Sequence, residues 1–307
     1  MTTNMRPVVI SAAITPLRPG EPLQTADQMV AEALAALEAG ATIVHHHHDY
    51  QLSTESASAQ IVDVERRIRA RFPRALLYAD YLRGDNTAER TAYLAPLAEA
   101  GLLSMYAFDP GFTMFDKLDA DGLPSQYMVQ GFTYTDSAEL AEFGRRADVP
   151  ASIGIYEPGQ LRWAIAYARA GRLPRGSEFK LYFPGSRALS GRPRVGPGLY
   201  PTPQSLDVYL TMMEGLDIAW EVGTPGEDLL ATPLARYALE RGGNLRVGIE
   251  DQGGIADVTN AETVRAAVVL ANEVGRPVAR PEDALDVLAG ECSVAMREEE
   301  DGGDHGR

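Results

Sequence analysis

The sequence predicts an α/β chain folded as a (β/α)8 barrel, the TIM barrel. Short runs rich in β-branched residues alternate with one-sided helical patterns, and the alternation repeats eight times along 307 residues. Several helical patterns stop at a glycine (Gly40, Gly101, Gly171, Gly215, Gly242), the residue that tolerates the left-handed turn leading into the next strand. No G-x-G-x-x-G follows the first strand, which weakens the competing open doubly wound sheet.

The elements follow in order. VVISAAI (8–14) is strand 1, and TADQMVAEALAALEAG after it repeats apolar residues at three- and four-residue spacing. TIVHHHH (42–48) is strand 2, with its helix in ESASAQIVDVERRIRARF. ALLYAD (75–80) and LLSMYAF (102–108) are strands 3 and 4, separated by NTAERTAYLAPLAEAG. ASIGIYE (151–157), EFKLYF (178–183), DIAWEV (217–222) and LRVGIE (245–250) complete the set, each followed by a helical pattern. No linker divides the chain, so residues 1–295 read as one catalytic barrel domain. The charged, aperiodic stretch over 296–307 reads as a disordered acidic tail.

Composition narrows the function. A formal charge of −15 argues against nucleic acid or an anionic membrane as the main partner, since both want a basic face. Cys292 is the sole cysteine, so no intrachain disulfide forms. The amino-terminal residues lack a long apolar core, and no run reaches membrane-span length; a cytoplasmic protein is expected.

A barrel of this kind builds its site at the carboxyl ends of the strands. Two long loops leave that end: DPGFTMFDKLDADGLPSQYMVQGFTY after strand 4 and PGSRALSGRPRVGPGLY after strand 6. Arg187, Arg192 and Arg194 in the second suit an anionic ligand, or equally a solvated loop.

Four of the five histidines stand in a row, His45 to His48, at the end of strand 2. Alternate side chains of a strand share a face, so His45 pairs with His47 and His46 with His48. Two imidazoles so spaced can chelate one divalent cation. Strand 8 ends in Glu250 and Asp251, placed to give one ligand and one acid/base group. The bland alternative is a set of buried, hydrogen-bonded histidines and a helix-capping carboxylate pair.

SAAIT, EALAALEAGATIVHHHH, YFPGSRALSGRPR, LRVGIEDQGG and ANEVGRPVARPEDALDVL together resemble the β-keto acid cleavage enzymes, whose founding member acts on 3-keto-5-aminohexanoate. The resemblance runs from about residue 8 to 290. It implies a zinc-dependent barrel, a homo-oligomer (dimer or tetramer), that condenses a β-keto acid with acetyl-CoA to give acetoacetate and a new acyl-CoA. It assigns His45, His47 and Glu250 as ligands of one Zn2+, Asp251 as the proton-transferring group and Arg246 as its partner. The implied substrate pocket takes in Arg18, Asp80, Ser104, Tyr106 and Glu157.

The pocket departs from the family pattern while the metal ligands keep it. TPLRP replaces TGAET after strand 1, ADYLRG replaces ISTGG after strand 3, and SMYAF stands for TLNAG at strand 4, putting Tyr106 where the family has asparagine. An aspartate at position 80 repels a carboxylate, so Asp80 is expected to face a donor or cationic group of the substrate. The remaining readings are a metal-dependent lyase or hydrolase that uses no CoA, and a non-catalytic binding barrel. Other divalent transition metals suit the same ligands.

Overall fold

The computed structural model describes residues 6–17, 23–253 and 257–291. Strands β1 (Ile10–Ala13), β2 (Ile43–His46) and β3 (Leu76–Ala79) alternate with α1 (Ala26–Glu38), α2 (Thr54–Arg69) and the short α3 (Thr87–Arg90) and α4 (Leu94–Glu99). Then come β4 (Tyr106–Phe108), a hairpin of β5 (Gly111–Leu118) and β6 (Pro124–Phe132), and α5 (Tyr134–Ala147). The rest alternates again: β7 (Ala151–Ile155), α6 (Pro158–Arg169), β8 (Glu178–Tyr182), α7 (Pro203–Met212), β9 (Ala219–Gly223), α8 (Pro233–Glu240), β10 (Asn244–Val247), α9 (Asn260–Glu273) and α10 (Ala284–Leu288).

Eight of these strands form one parallel sheet in the order β3-β2-β1-β10-β9-β8-β7-β4, the (β/α)8 barrel that the alternation predicts. The seam between β3 and β4 is joined by a side chain. The Ser104 hydroxyl accepts from the Leu77 amide at 3.0 Å and donates to the Leu77 carbonyl at 3.4 Å. The strands are shorter than the apolar runs suggest, because the ends of those runs lie in the loops on either side.

Helix ends obey local rules. Thr25 and Gln28 form a capping box at the start of α1, and Thr259 and Glu262 form another at α9. Each helix lays its apolar stripe on the outward strand residues, such as Ile10, Ala12, Val44 and Leu77. The inward residues divide by height. Val9, Ile43, Leu76, Met105 and Ala219 pack against Ala284, Val287 and Leu288 of α10 and plug the barrel floor. Above them lies a buried polar layer of Ser11, Ser152, Glu178, Lys180, Glu221 and Arg246.

The stretch after strand 4 was expected to be a loop without structure; it is the antiparallel hairpin β5–β6. Alternation in GFTMF and the turn at Asp119–Gly122, where Asp119 accepts from the Asp121 and Leu123 amides, are its local causes. Among the described residues no helix is long and apolar enough to cross a membrane. Cys292 and the tail expected over 296–307 lie outside the described residues.

Candidate metal centre and its cavity

β2 delivers the histidines by its period of two. His45 pairs with Ala13 on one side and Tyr78 on the other, with its ring inside the barrel. His47 follows one pleat later, its amide held by Thr15 Oγ1 at 3.0 Å. β10 supplies Glu250 through a bend at Gly248, where φ is 138° and a Cβ would come within 2.1 Å of the Ala13 carbonyl oxygen. A side chain there would push the segment off β1 and carry Glu250 away from the histidines.

The three side chains meet. His45 Nε2 lies 3.5 Å from Glu250 Oε1, and His47 Nε2 lies 3.2 Å from Glu250 Oε2. One donor atom from each falls within 4.8 Å of the others. Two ligands on tetrahedral zinc, with arms of about 2 Å, stand about 3.3 Å apart. His47 Nε2 and Glu250 Oε2 are buried without a hydrogen-bond partner, an arrangement costly unless something charged sits between them. His45, His47 and Glu250 can therefore coordinate one divalent cation.

The surroundings orient these donors. His47 Nδ1 is 2.5 Å from the Tyr50 hydroxyl, which donates to Asp80 Oδ2 at 2.5 Å. Outer-shell chains of this kind fix a ligand's tautomer and direction. The other two histidines lie behind the centre. His46 Nε2 is 3.5 Å from the buried Glu65 of α2, and His48 packs edge-on against Tyr50.

Arg246 binds the carboxylate pair at the end of its own segment. Its Nε and Nη2 donate to Asp251 at 3.0 and 3.2 Å, and Nη2 also donates to Glu250 at 2.9 Å. Its Nη1 donates to the Tyr78 hydroxyl at 3.0 Å.

Burial sets the electrostatics. It pushes His45 down to about 3, against the pull of Glu250. For His47 burial also acts downward, but the Glu250 and Asp80 carboxylates outweigh it and raise the ring to about 9. Burial opposes the charged form of Glu250, yet His47, His45 and Arg246 hold it well below the usual carboxylate range. Asp251 is raised by burial and by the charge of Glu250, with Arg246 pulling the other way.

The centre opens into a cavity of about 1040 Å³, lined among others by Asp80, Asp109, Lys180, Arg194, Arg246 and Asp251. Its roof joins the two long insertions. Asp116 of β5 accepts from the Val195 and Gly196 amides at 2.9 and 2.8 Å, and the Arg192 guanidinium lies 4.7 Å from the Tyr127 ring centroid.

The expected substrate residues separate. Asp80 lines the cavity, but its carboxylate is engaged by Tyr50. Ser104 closes the barrel seam instead of facing the cavity. Tyr106 points outward and donates to the Leu140 carbonyl of α5 at 2.7 Å, because Met105 and Ala107 take the inward pleats of that strand. Glu157 is the N-cap of α6 and accepts from the Gly198 amide at 3.0 Å. Ser104, Tyr106 and Glu157 are thus absent from the cavity wall, and Arg18 lies outside the described residues.

The wall has residues that the sequence reading passed over: Tyr50, Asp109 and Lys180. Asp109 takes the mouth position assigned to Tyr106, three residues on. Gly154 makes room for it, since a Cβ there would sit 1.9 Å from Asp109 Oδ1. The FDPG sequence, an acid followed by Pro-Gly at a strand end, was its signal.

The sequence profile of the beta-keto acid cleavage enzymes (BKACE) matches residues 7–289. The chain belongs to this family. It is 26% identical over 274 residues to the 3-keto-5-aminohexanoate cleavage enzyme of Acetoanaerobium sticklandii, covering 86% of this chain and 89% of that enzyme. It is also 26% identical over 300 residues to the 3-oxoadipate:acetyl-CoA acetyltransferase of Cupriavidus necator, covering 92% and 95%. Among solved structures, apo ObcA superposes with a TM-score of 0.65 at 14% identity, over 86% of this chain and 64% of ObcA. That likeness is one of fold.

Proposed function

We propose that this protein is a metal-dependent enzyme that cleaves a carbon–carbon bond of a β-keto acid-like substrate with acetyl-CoA, giving acetoacetate and a new acyl-CoA. The observation that carries the reading is the set of three buried donors, one atom of each within 4.8 Å of the others, beside an arginine-held carboxylate, Asp251, on a cavity large enough for a small molecule. Family membership supports β-keto acid cleavage, and the printed activity of the Cupriavidus necator relative supports acetyl-CoA.

Lewis-acid polarisation of the keto oxygen is the chemistry that a bound divalent ion, in our reading zinc, supplies here. The remaining work falls to the chain. Asp251 accepts and returns the proton, and its raised pKa brings it nearer to working pH. Arg246 fixes the direction of that carboxylate through two hydrogen bonds. Arg194 lines the cavity with a buried Nε lacking a hydrogen-bond partner among the described residues, which suits it to hold a ligand carboxylate.

The test combines metal analysis of the purified protein with a panel of β-keto acids, assayed with and without acetyl-CoA for acetoacetate. About one divalent ion per chain is expected. Asp251→Asn is expected to keep the metal and lose turnover by about two to four powers of ten. Cleavage that ignores acetyl-CoA would move the protein to the lyases. Full metal content in the His45→Ala, His47→Ala double variant would sink the metal assignment.

A further inference from the structure

Two cationic side chains rise from barrel strands into the cavity wall, Arg246 on β10 and Lys180 on β8. Every nitrogen of Arg246 is engaged, by Asp251, Glu250 and the Tyr78 hydroxyl. Lys180 is 3% exposed and far less well served. Its one polar contact among the described residues is the same Tyr78 hydroxyl, 3.4 Å away. An ammonium carries three donors, so most of its hydrogen-bonding capacity is unmet by the chain. A buried charge in that condition is costly until an acceptor reaches it.

The groups around Nζ favour the cation without binding it. The Tyr78 and Tyr182 ring centroids lie 4.9 and 5.3 Å away, within cation–π range. Burial and the Arg246 charge lower the lysine's pKa, while Asp109, Glu221 and Glu178 pull it up. None of these three carboxylates forms an ion pair with it among the described residues. The four oxygens of Glu178 and Glu221 are buried and have no hydrogen-bond partner there. Burial pushes both glutamates, and Asp109, towards their neutral forms. The anion that would complete the ammonium has to come from the cavity.

Lys180 stands where a ligand can meet it and the metal centre together. β8 lies four strands from β2 either way round the barrel, so Lys180 and His45 approach the axis from opposite sides. One tyrosine bridges them: the Tyr78 ring lies 4.6 Å from the His45 ring, and its hydroxyl meets Nζ. Arg194 belongs to the roof, 5.7 Å from the Phe115 ring of β5, and so meets the far end of a ligand. We propose that Lys180 binds the carboxylate of the β-keto acid on the cavity floor, with the keto group turned towards His45, His47 and Glu250. The proposal rests on the keto acid reading of the site. The carboxylate and the keto carbon of such an acid are joined through a single carbon, so one small molecule spans the two positions. The placement also accounts for Asp80, which would repel a carboxylate and is turned to Tyr50 instead. An ester or a simple ketone of the same skeleton leaves the ammonium unmet, so Lys180 makes the pocket select acids.

The chain has only two lysines, and the other, Lys117, is exposed on β5. Protein labelled with 13C at the lysine ε-carbon therefore gives one NMR signal for each, assigned with Lys117→Arg. The metal-loaded protein is titrated with acetoacetate and with methyl acetoacetate, which keeps the keto group and lacks the anion. The expected result is a saturable shift of the Lys180 signal with the acid, none with the ester, and a Lys117 signal that stays still. Lys180→Met keeps a stem between the two rings and removes the charge. It should hold its metal and bind acetoacetate about 10- to 100-fold more weakly, with affinity for the ester unchanged. For a β-keto acid that is cleaved, KM should rise by a similar factor while kcat moves less. Acetoacetate that saturates the wild type while the Lys180 signal stays still, or that binds Lys180→Met equally well, overturns the proposal and leaves the proposed function standing. If the wild type binds no β-keto acid, the proposed function fails instead, and malonate, a keto-free dianion, decides for the lysine. A saturable Lys180 shift with malonate keeps the anion site, and the absence of one overturns it.

Discussion

His47 is held from both sides. Its Nε2 faces Glu250, and its Nδ1 meets Tyr50 and, through it, Asp80. Without metal the ring keeps a proton up to a pH of about 9 because both carboxylates favour the cation. A metal ion needs the same Nε2 deprotonated. Below pH 9 metal binding must expel that proton, so affinity falls as pH falls, and at pH 8 about one proton is released per ion bound. Calorimetry of Zn2+ binding in buffers of different ionisation enthalpy measures the release, which should fade above pH 9. His45, at about 3, is neutral throughout this window and adds nothing to it. Tyr50→Phe and Asp80→Asn both cut the chain behind His47. Each is expected to weaken metal binding by about 10- to 100-fold while leaving the fold intact, as a competition titration against a chelator would read. An unchanged affinity in both would return Asp80 to the substrate role expected from sequence.

Two of the joins between elements that single side chains make are open to test. Ser104 supplies the join between β3 and β4, and Leu77, its partner, is fully buried. Ser104→Ala leaves a buried amide and carbonyl with one fewer partner. The expected loss is about 1–3 kcal/mol of stability in a denaturant melt, with metal content unchanged. A substrate-contacting serine would show the reverse, lost activity at unchanged stability. The second place is Asp116, which ties β5 to the arginine loop through two amides. Asp116→Ala should free that loop, speeding tryptic cleavage after Arg187 by roughly tenfold. KM should rise more than kcat falls, since the roof closes over the ligand.

At the scale of the whole molecule, the barrel was legible because eight alternations leave few other architectures. A strand's period of two separates His45 and His47 from His46 and His48, and the resemblance to the β-keto acid cleavage enzymes then chose the first pair and added Glu250. What failed was position within a strand. The run over 102–108 hides where β4 starts, and an error of three residues put Tyr106 at the mouth in place of Asp109. Glu157 follows Tyr156, whose ring stacks on Tyr182 inside, so pleat parity turns Glu157 out towards α6. Lys180 went unread because one lysine in EFKLYF gives no sign that its side chain turns into the barrel.

The Ser104 seam carries a cost that a fully laddered barrel avoids. A sheet closed by backbone bonds all round has no edges, whereas this one has two, held back from solvent by one hydroxyl and the packing around it. Any fluctuation that parts them bares the LLYA strand, four buried and uncharged residues, with its amides ready for another chain. Heating should therefore end in precipitation that begins at β3, before the opposite wall of the barrel has come apart. Amide exchange at Leu77 should give the earliest warning of it.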